Sequence, residues 1–371
     1  MHLPQTYFDI LIQKDEYLLK SVEKDIISLD GQGPFGSLDD YSNCFNDYFE
    51  SLTAKIIEDV LLQLGTVNRD SIINEIKHSE EYRSLFVAAH SDYLTLTNFL
   101  LFGKKTFYIS SNLAEHLSQT SLEVDSDFIE LPFKTCLFVY DDETTINALN
   151  ALDGNKNNVV LGIPISVFCT SRFTEKGEKK IIFACWQANR QRNNIFIKRE
   201  LLLRKGWKVS EILKTEWTEI YNSVESPEQH GRQKDDTIFY NEGLLFFRII
   251  LNTILYLSSA DKDTKEALSP HETLYKQLSS IKKIAKKKKA RKKLSKISRL
   301  NFIDVGRDVE AVISKSTGQS FSNINKRFIV RGHWRNQPFG PGLSERKLIF
   351  VQPYYKGPEL AELINKPYRL K

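Results

Sequence analysis

Arg331, His333 and Arg335 occupy alternate positions in the run Arg327 to Gly357, RFIVRGHWRNQPFGPGLSERKLIFVQPYYKG. In an extended strand, alternate side chains share a face and stand roughly 7 Å apart along it. An imidazole between two guanidiniums suits a phosphodiester. The arginines would hold phosphate oxygens in bidentate pairs. His333 would take the proton of a ribose 2′-hydroxyl or return one to the leaving oxygen. Arg327, Lys347 and Lys356 would add charge, and Tyr354 and Tyr355 would add stacking surface. A lone histidine with no visible partner base also fits a face that binds phosphate without chemistry. Both readings stay open.

Two elements must present these side chains. The pattern predicts strands over Lys326 to Gln337 and Arg346 to Gln352, joined by a hairpin loop at Pro338 to Glu345. Arg327, Ile329, Arg331, His333 and Arg335 fall on one face. Phe328, Val330, Trp334 and Asn336 fall on the other, which packs inward. Upstream, residues 282–299 (KKIAKKKKARKKLSKISR) carry 11 Lys/Arg in 18 positions and no acid. Such a block repels itself until it meets an anion, so it is expected to be disordered or only partly helical when free. Lys286, Lys287, Lys288, Lys289, Arg291, Lys292 and Lys293 are its candidate nucleic-acid contacts. They offer no base readout, so their affinity would be salt-sensitive and sequence-blind.

The rest of the chain supplies the body. Residues 1–120 read mainly as helices, with one apolar stripe over Asp47 to Leu64. The Gly31 to Gly36 loop lacks the Gly-Lys-Ser/Thr ending of a phosphate cradle. Residues 128–200 are β-rich and read as an antiparallel sheet with one buried face. Residues 201–225 look helical, and Ser226 to Asp236 is a polar loop. Leu244 to Leu257 is an apolar run of 14 residues interrupted by Arg248 and Asn252. A membrane span needs about 20 residues, so this is a core helix. The fold class is α+β: a helical N-terminal region and antiparallel sheet body (1–260), a basic linker (261–300), and a small β-hairpin module (301–371).

Composition narrows the function. The chain has 371 residues and is 41% hydrophobic and 27% charged, which excludes a largely disordered or fibrous chain. Its net charge of +5 is unevenly spread. Residues 282–371 hold 23 Lys/Arg against six Asp/Glu, and residues 1–281 hold 29 against 41. A basic tail on an acidic body points to a polyanionic partner, nucleic acid above all. Cys44, Cys136, Cys169 and Cys185 form no CxxC pair and read as free thiols of a reducing compartment. The acids Asp141, Asp142 and Glu143 follow a strand end and read as a solvated turn rather than a metal site. His2, His78, His90, His116, His230 and His271 show no ligand spacing. No metal or other cofactor is expected. The N-terminus has no basic and apolar leader, so a soluble, cytoplasmic protein without a membrane partner is expected.

The terminal pattern resembles a phage and mobile-element family of anti-CRISPR proteins directed at the type V-A nuclease. The resemblance rests on Arg331-Gly332-His333-Trp334-Arg335, a Gly-containing turn, Lys347 to Pro353, and Gly357. The order of parts is also similar: helical region, Leu131-Pro132-Phe133 strand, apolar helix, basic linker and terminal hairpin. It implies a protein that recognises the nascent N-terminal peptide of a target and causes loss of its mRNA during translation. Residues 1–260 would then read the peptide, and 282–371 would face mRNA or ribosome. Arg335 stands where the anti-CRISPR relative has a second histidine, so a two-histidine acid/base pair is absent here. Two alternatives remain: a metal-independent ribonuclease toxin or defence effector using His333, Arg331 and Arg335, and a non-catalytic nucleic-acid-binding protein.

Overall fold

The computed structural model describes residues 3, 6, 8–9, 38–64, 69–152, 164–174, 176–187, 195–223, 237–294, 296–310 and 328–356. Two compact units emerge, Phe8–Lys104 and Met1–Tyr7 with Lys105–Lys371.

In the first unit, aromatic residues recur at helical spacing and mesh. Helix α1 (Leu38–Leu64) begins earlier than its apolar stripe alone suggested, α2 is Arg69–His78, and α3 is Glu80–Leu101. Ser79 caps α3 by accepting the Tyr82 N–H at 3.1 Å, and Glu80 and Glu81 complement the helix dipole in its first turn. Phe45 on α1 meets Phe86, His90 and Tyr93 on α3 at centroid separations of 5.2, 4.9 and 5.7 Å. Tyr48 stacks on Tyr93 at 5.4 Å. Edge-to-face and offset pairs of this kind add to the burial of each ring.

The second unit is built on a seven-stranded sheet in the order β5-β4-β3-β2-β1-β7-β6. Its strands are β1 (Thr106–Ile109), β2 (Thr135–Tyr140), β3 (Ile165–Phe173), β4 (Lys179–Gln187), β5 (Ile195–Leu203), β6 (Thr264–Ala267) and β7 (Phe302–Val305). β2 to β5 form the antiparallel run expected from the β-rich segment. β1, however, lies parallel to both β2 and β7, so the sheet is mixed. All six residues of β2 are buried, which an apolar central strand covered on both faces requires.

Among the described residues, this unit has the helices α4 (Ser111–Ser118), α5 (Glu143–Leu152), α6 (Val209–Ser223), α7 (Thr237–Ser258), α8 (His271–Ser280) and α9 (Ile284–Leu294). α7 is the apolar run, and it is a core helix. Residues Ile249 to Leu257 are all buried, polar Asn252 and Thr253 included. Thr253 Oγ1 accepts the Tyr140 hydroxyl at 2.9 Å and donates to the Ile249 carbonyl, tying the end of β2 to α7. Cys136, Cys169 and Cys185 are buried free thiols of the sheet; Cys44 is half-buried and outside any disulfide.

The last described segment makes two small two-stranded sheets. β8 (Phe328–Val330) pairs with β11 (Tyr354–Lys356), and β9 (His333–Phe339) pairs with β10 (Glu345–Val351). The turn between β9 and β10 uses Gly340 and Gly342 at φ +76° and +63°, where a Cβ is unfavourable.

Candidate nucleic-acid interface

The β9–β10 register sorts the motif by face. Directly opposed residues of an antiparallel pair project to the same side. Trp334 opposes Phe350, and Asn336 opposes Leu348. Trp334, Leu348 and Phe350 are buried in the main core, with the Trp334 and Phe350 rings 4.9 Å apart. On the other side His333 opposes Val351, Arg335 opposes Ile349, and Lys347 opposes Gln337. His333, Arg335 and Lys347 are all exposed. The alternation expected from the sequence therefore holds within β9: aromatic inward, cation and imidazole outward.

Two residues fix the hairpin to the body. The Trp334 indole Nε1 donates to Asn252 Oδ1 at 2.8 Å. The Asn252 amide in turn donates to the carbonyls of Leu117 and Thr120 at 2.9 and 3.1 Å, at the end of α4. One buried amide thus satisfies a helix end and an indole, which explains a polar residue inside the apolar helix. Gly332 lies against the same helix end. Its N–H donates to the Gln119 carbonyl at 3.2 Å, and its carbonyl accepts the Ser121 N–H at 2.9 Å. A Cβ there would sit 2.6 Å from Thr120 Oγ1 and 2.9 Å from Pro353 Cδ. Only glycine permits this approach.

That contact corrects one expectation. The stretch up to Gln337 is not one strand. It divides at Arg331-Gly332, because Gly332 pairs with Thr120 instead of continuing either ladder. Arg331 accordingly lies outside β9. It is half-buried and lines a cavity of about 150 Å³ with Arg248, Thr120, Ser210, Glu211 and Lys214. Burial first, and then the charge of Arg331, lower the pKa of the Arg248 guanidinium. Glu123 also lines the cavity, so two arginines and a lysine share it with two carboxylates. In the sequence Arg248 stands out only as an interruption of the apolar run. A charge in the middle of an apolar helix was the signal that could have singled it out. Tyr355 and Lys356 belong to β11, on the other small sheet, and Arg327 lies outside the described residues.

The lysine block is helical over Ile284–Leu294. Seven of the 11 residues of α9 are Lys or Arg, distributed around the whole helix. Lys286, Lys288, Lys289, Arg291, Lys292 and Lys293 are exposed and Lys287 is half-buried. Arg291, Lys292 and Lys293 occupy the last turn, where cations oppose the helix dipole favourably. Leu294 and Ile297 are buried and anchor the C-terminal end. The arrangement presents cations without base-reading geometry.

The acids after β2 act structurally. Asp142 Oδ1 accepts the Thr145 N–H at 2.8 Å and caps α5, and Asp141 accepts the Tyr108 hydroxyl. Burial raises the pKa of Asp142. Among the described residues, no cluster of three or more His, Cys, Asp or Glu side chains is placed to hold a metal ion. Among them, too, no helix is long and apolar enough to cross a membrane.

No curated protein and no solved structure matches the chain. Residues 107–355 do match a known family, described as AcrVA2-like, anti-CRISPR type V subtype A2. The matched span starts in β1, ends in β11, and covers the sheet, the apolar helix, the lysine helix and both small sheets. Extending over about two thirds of its length, that match establishes that the chain belongs to the AcrVA2-like family of anti-CRISPR proteins.

Proposed function

We propose that this anti-CRISPR-like, mobile-element protein recognises a nascent peptide of its target and causes loss of the mRNA being translated. The observation that carries this reading is the cation display of α9, with the outward His333, Arg335 and Lys347 of β9–β10 as a second basic surface. Both lie in the basic stretch from residue 282 onward. They suit the phosphate backbone of mRNA or ribosomal RNA, whose contacts with Lys and Arg supply sequence-blind affinity. Selectivity must then come from elsewhere, and a peptide-reading body supplies it.

The hairpin's role separates into binding and cutting. Purified full-length protein and its His333→Ala variant are mixed with naked single-stranded RNA in EDTA, and binding and chain length are followed. Salt-sensitive binding without cleavage, equal in both proteins, supports a recogniser that works through the ribosome or a host nuclease. Cleavage that disappears in the variant would overturn that division and make this chain a metal-independent ribonuclease.

A further inference from the structure

β1 and β7 run parallel and adjacent, yet β1 leads through α4 to β2 on its far side. Strand order diverges there, and open sheets bind ligands beyond the carboxyl ends of strands at such a divergence. A cleft of about 390 Å³ lies beside this end of the sheet. It is lined by Asp261 and Asp263 before β6, Asp308 and Glu310 after β7, His116 of α4 and Tyr256 of α7. Among the described residues that line it there is no lysine or arginine.

Its histidine and its carboxylates present acceptors. His116 is only 2% exposed. Its Nε2 lies 3.0 Å from the Glu310 carbonyl, and its Nδ1 has no partner. A carbonyl only accepts, so Nε2 carries the hydrogen. Burial lowers the pKa of His116, so the ring is neutral and Nδ1 is a bare lone pair. Asp263 is fixed in place: its Oδ2 accepts the Asp308 N–H at 2.8 Å, and its own N–H donates to the Tyr256 hydroxyl at 3.0 Å. Asp261, Asp308 and Glu310 are exposed at the mouth.

We infer that this cleft binds a basic side chain of a peptide, an arginine guanidinium or lysine ammonium, with its carboxylates and His116 Nδ1 accepting the ligand's N–H groups. A cation with several donors answers both the negative charge and the orphaned acceptor. The inference deepens the peptide-recognition half of the proposed function and rests on it.

The test uses full-length protein and calorimetric titration with short capped peptides that carry paired arginines, paired lysines or paired citrullines. The arginine and lysine peptides are expected to bind and the citrulline peptide not to. Asp263→Asn with Asp308→Asn should weaken binding about tenfold or more, as loss of charge-assisted hydrogen bonds does. Circular dichroism checks that this variant stays folded; if it does not, Asp308→Asn alone, at an exposed position, is expected to weaken binding by a smaller factor. Equal binding of the citrulline peptide, unchanged affinity in the folded variants, or no binding of any peptide would overturn the inference. Spermidine binding as tightly as the peptides would overturn the peptide assignment. The titration contains no RNA or ribosome. Loss of mRNA that persists in a variant unable to bind these peptides would sink the cleft and leave the translation-coupled reading standing.

Discussion

Trp334 and Asn252 are joined by a buried hydrogen bond of 2.8 Å between residues 82 positions apart. This bond makes the terminal hairpin part of the body's core. The motif Arg331 to Arg335 therefore divides its labour: Gly332 and Trp334 dock the strand, while His333 and Arg335 remain exposed.

Asn252→Ala would take the partner from the Thr120 carbonyl and the Trp334 indole, while the Leu117 carbonyl keeps the Thr120 N–H at 3.2 Å. A cost of about 3 kcal/mol is expected, read as a lower urea midpoint. Trp334→Phe keeps the ring but orphans Asn252 Oδ1, and should cost about 1–3 kcal/mol. Gly332→Ala should destabilise by a similar amount, through the contact with Thr120 and Pro353 rather than through a lost bond. Wild-type stability in all three would show that the hairpin is not anchored in this way.

The sequence made much of this visible. The antiparallel strands β2 to β4, the core helix α7 and the β9–β10 hairpin follow from β-branched and aromatic composition, apolar length and Pro-Gly turn chemistry, whereas β5 runs on to Leu203, into a stretch that reads as helical. β1 and β7 did not show themselves. They are four-residue strands whose pairing joins segments nearly 200 positions apart, and parallel pairing leaves no local turn signal. The break at Gly332 was hidden for a related reason: local alternation continues through it, and the Thr120 contact that stops the strand is distant in sequence. His333, Arg335 and Lys347 were legible because strand periodicity alone sets their face. Arg248 was not, because its partner at the cavity, Arg331, comes from another element.

α9 makes a quantitative prediction. Changing exposed Lys286, Lys288, Lys289 and Lys293 to Gln should weaken RNA binding at low salt. It should also reduce the slope of log affinity against log salt by up to about 3, at about 0.7 per phosphate for a single strand. Folding should be unchanged or slightly more stable, since like charges are removed from one helix. Fluorescence anisotropy across a salt series measures the slope. An unchanged slope would move the RNA contact away from this helix.

Asp142 links stability to pH. Its Oδ1 caps α5, its Oδ2 is buried with no partner, and burial raises its pKa. The folded state therefore holds the proton more tightly than the unfolded chain. The favourable contribution is present below the unfolded carboxylate range and declines as pH rises through the folded value. Asp142→Asn retains a capping oxygen and removes the buried charge. It should raise stability at neutral pH and flatten the decline above about pH 4, whereas Asp142→Ala should cost about 1 kcal/mol through loss of the cap. Thermal melts from acid to neutral pH would register both effects.

On the proposed function, mRNA is lost because it is being translated. The most direct measurement is a cell-free translation reaction programmed with mRNA for a type V-A nuclease and supplied with the purified protein. A matched mRNA whose start codon is removed serves as the untranslated control. The translated mRNA is expected to fall while the control persists, and the α9 variant is expected to slow the fall. If both messages persist, or both fall alike, the claim is contradicted. Stable mRNA together with inhibited nuclease would make the protein a direct inhibitor of the finished enzyme.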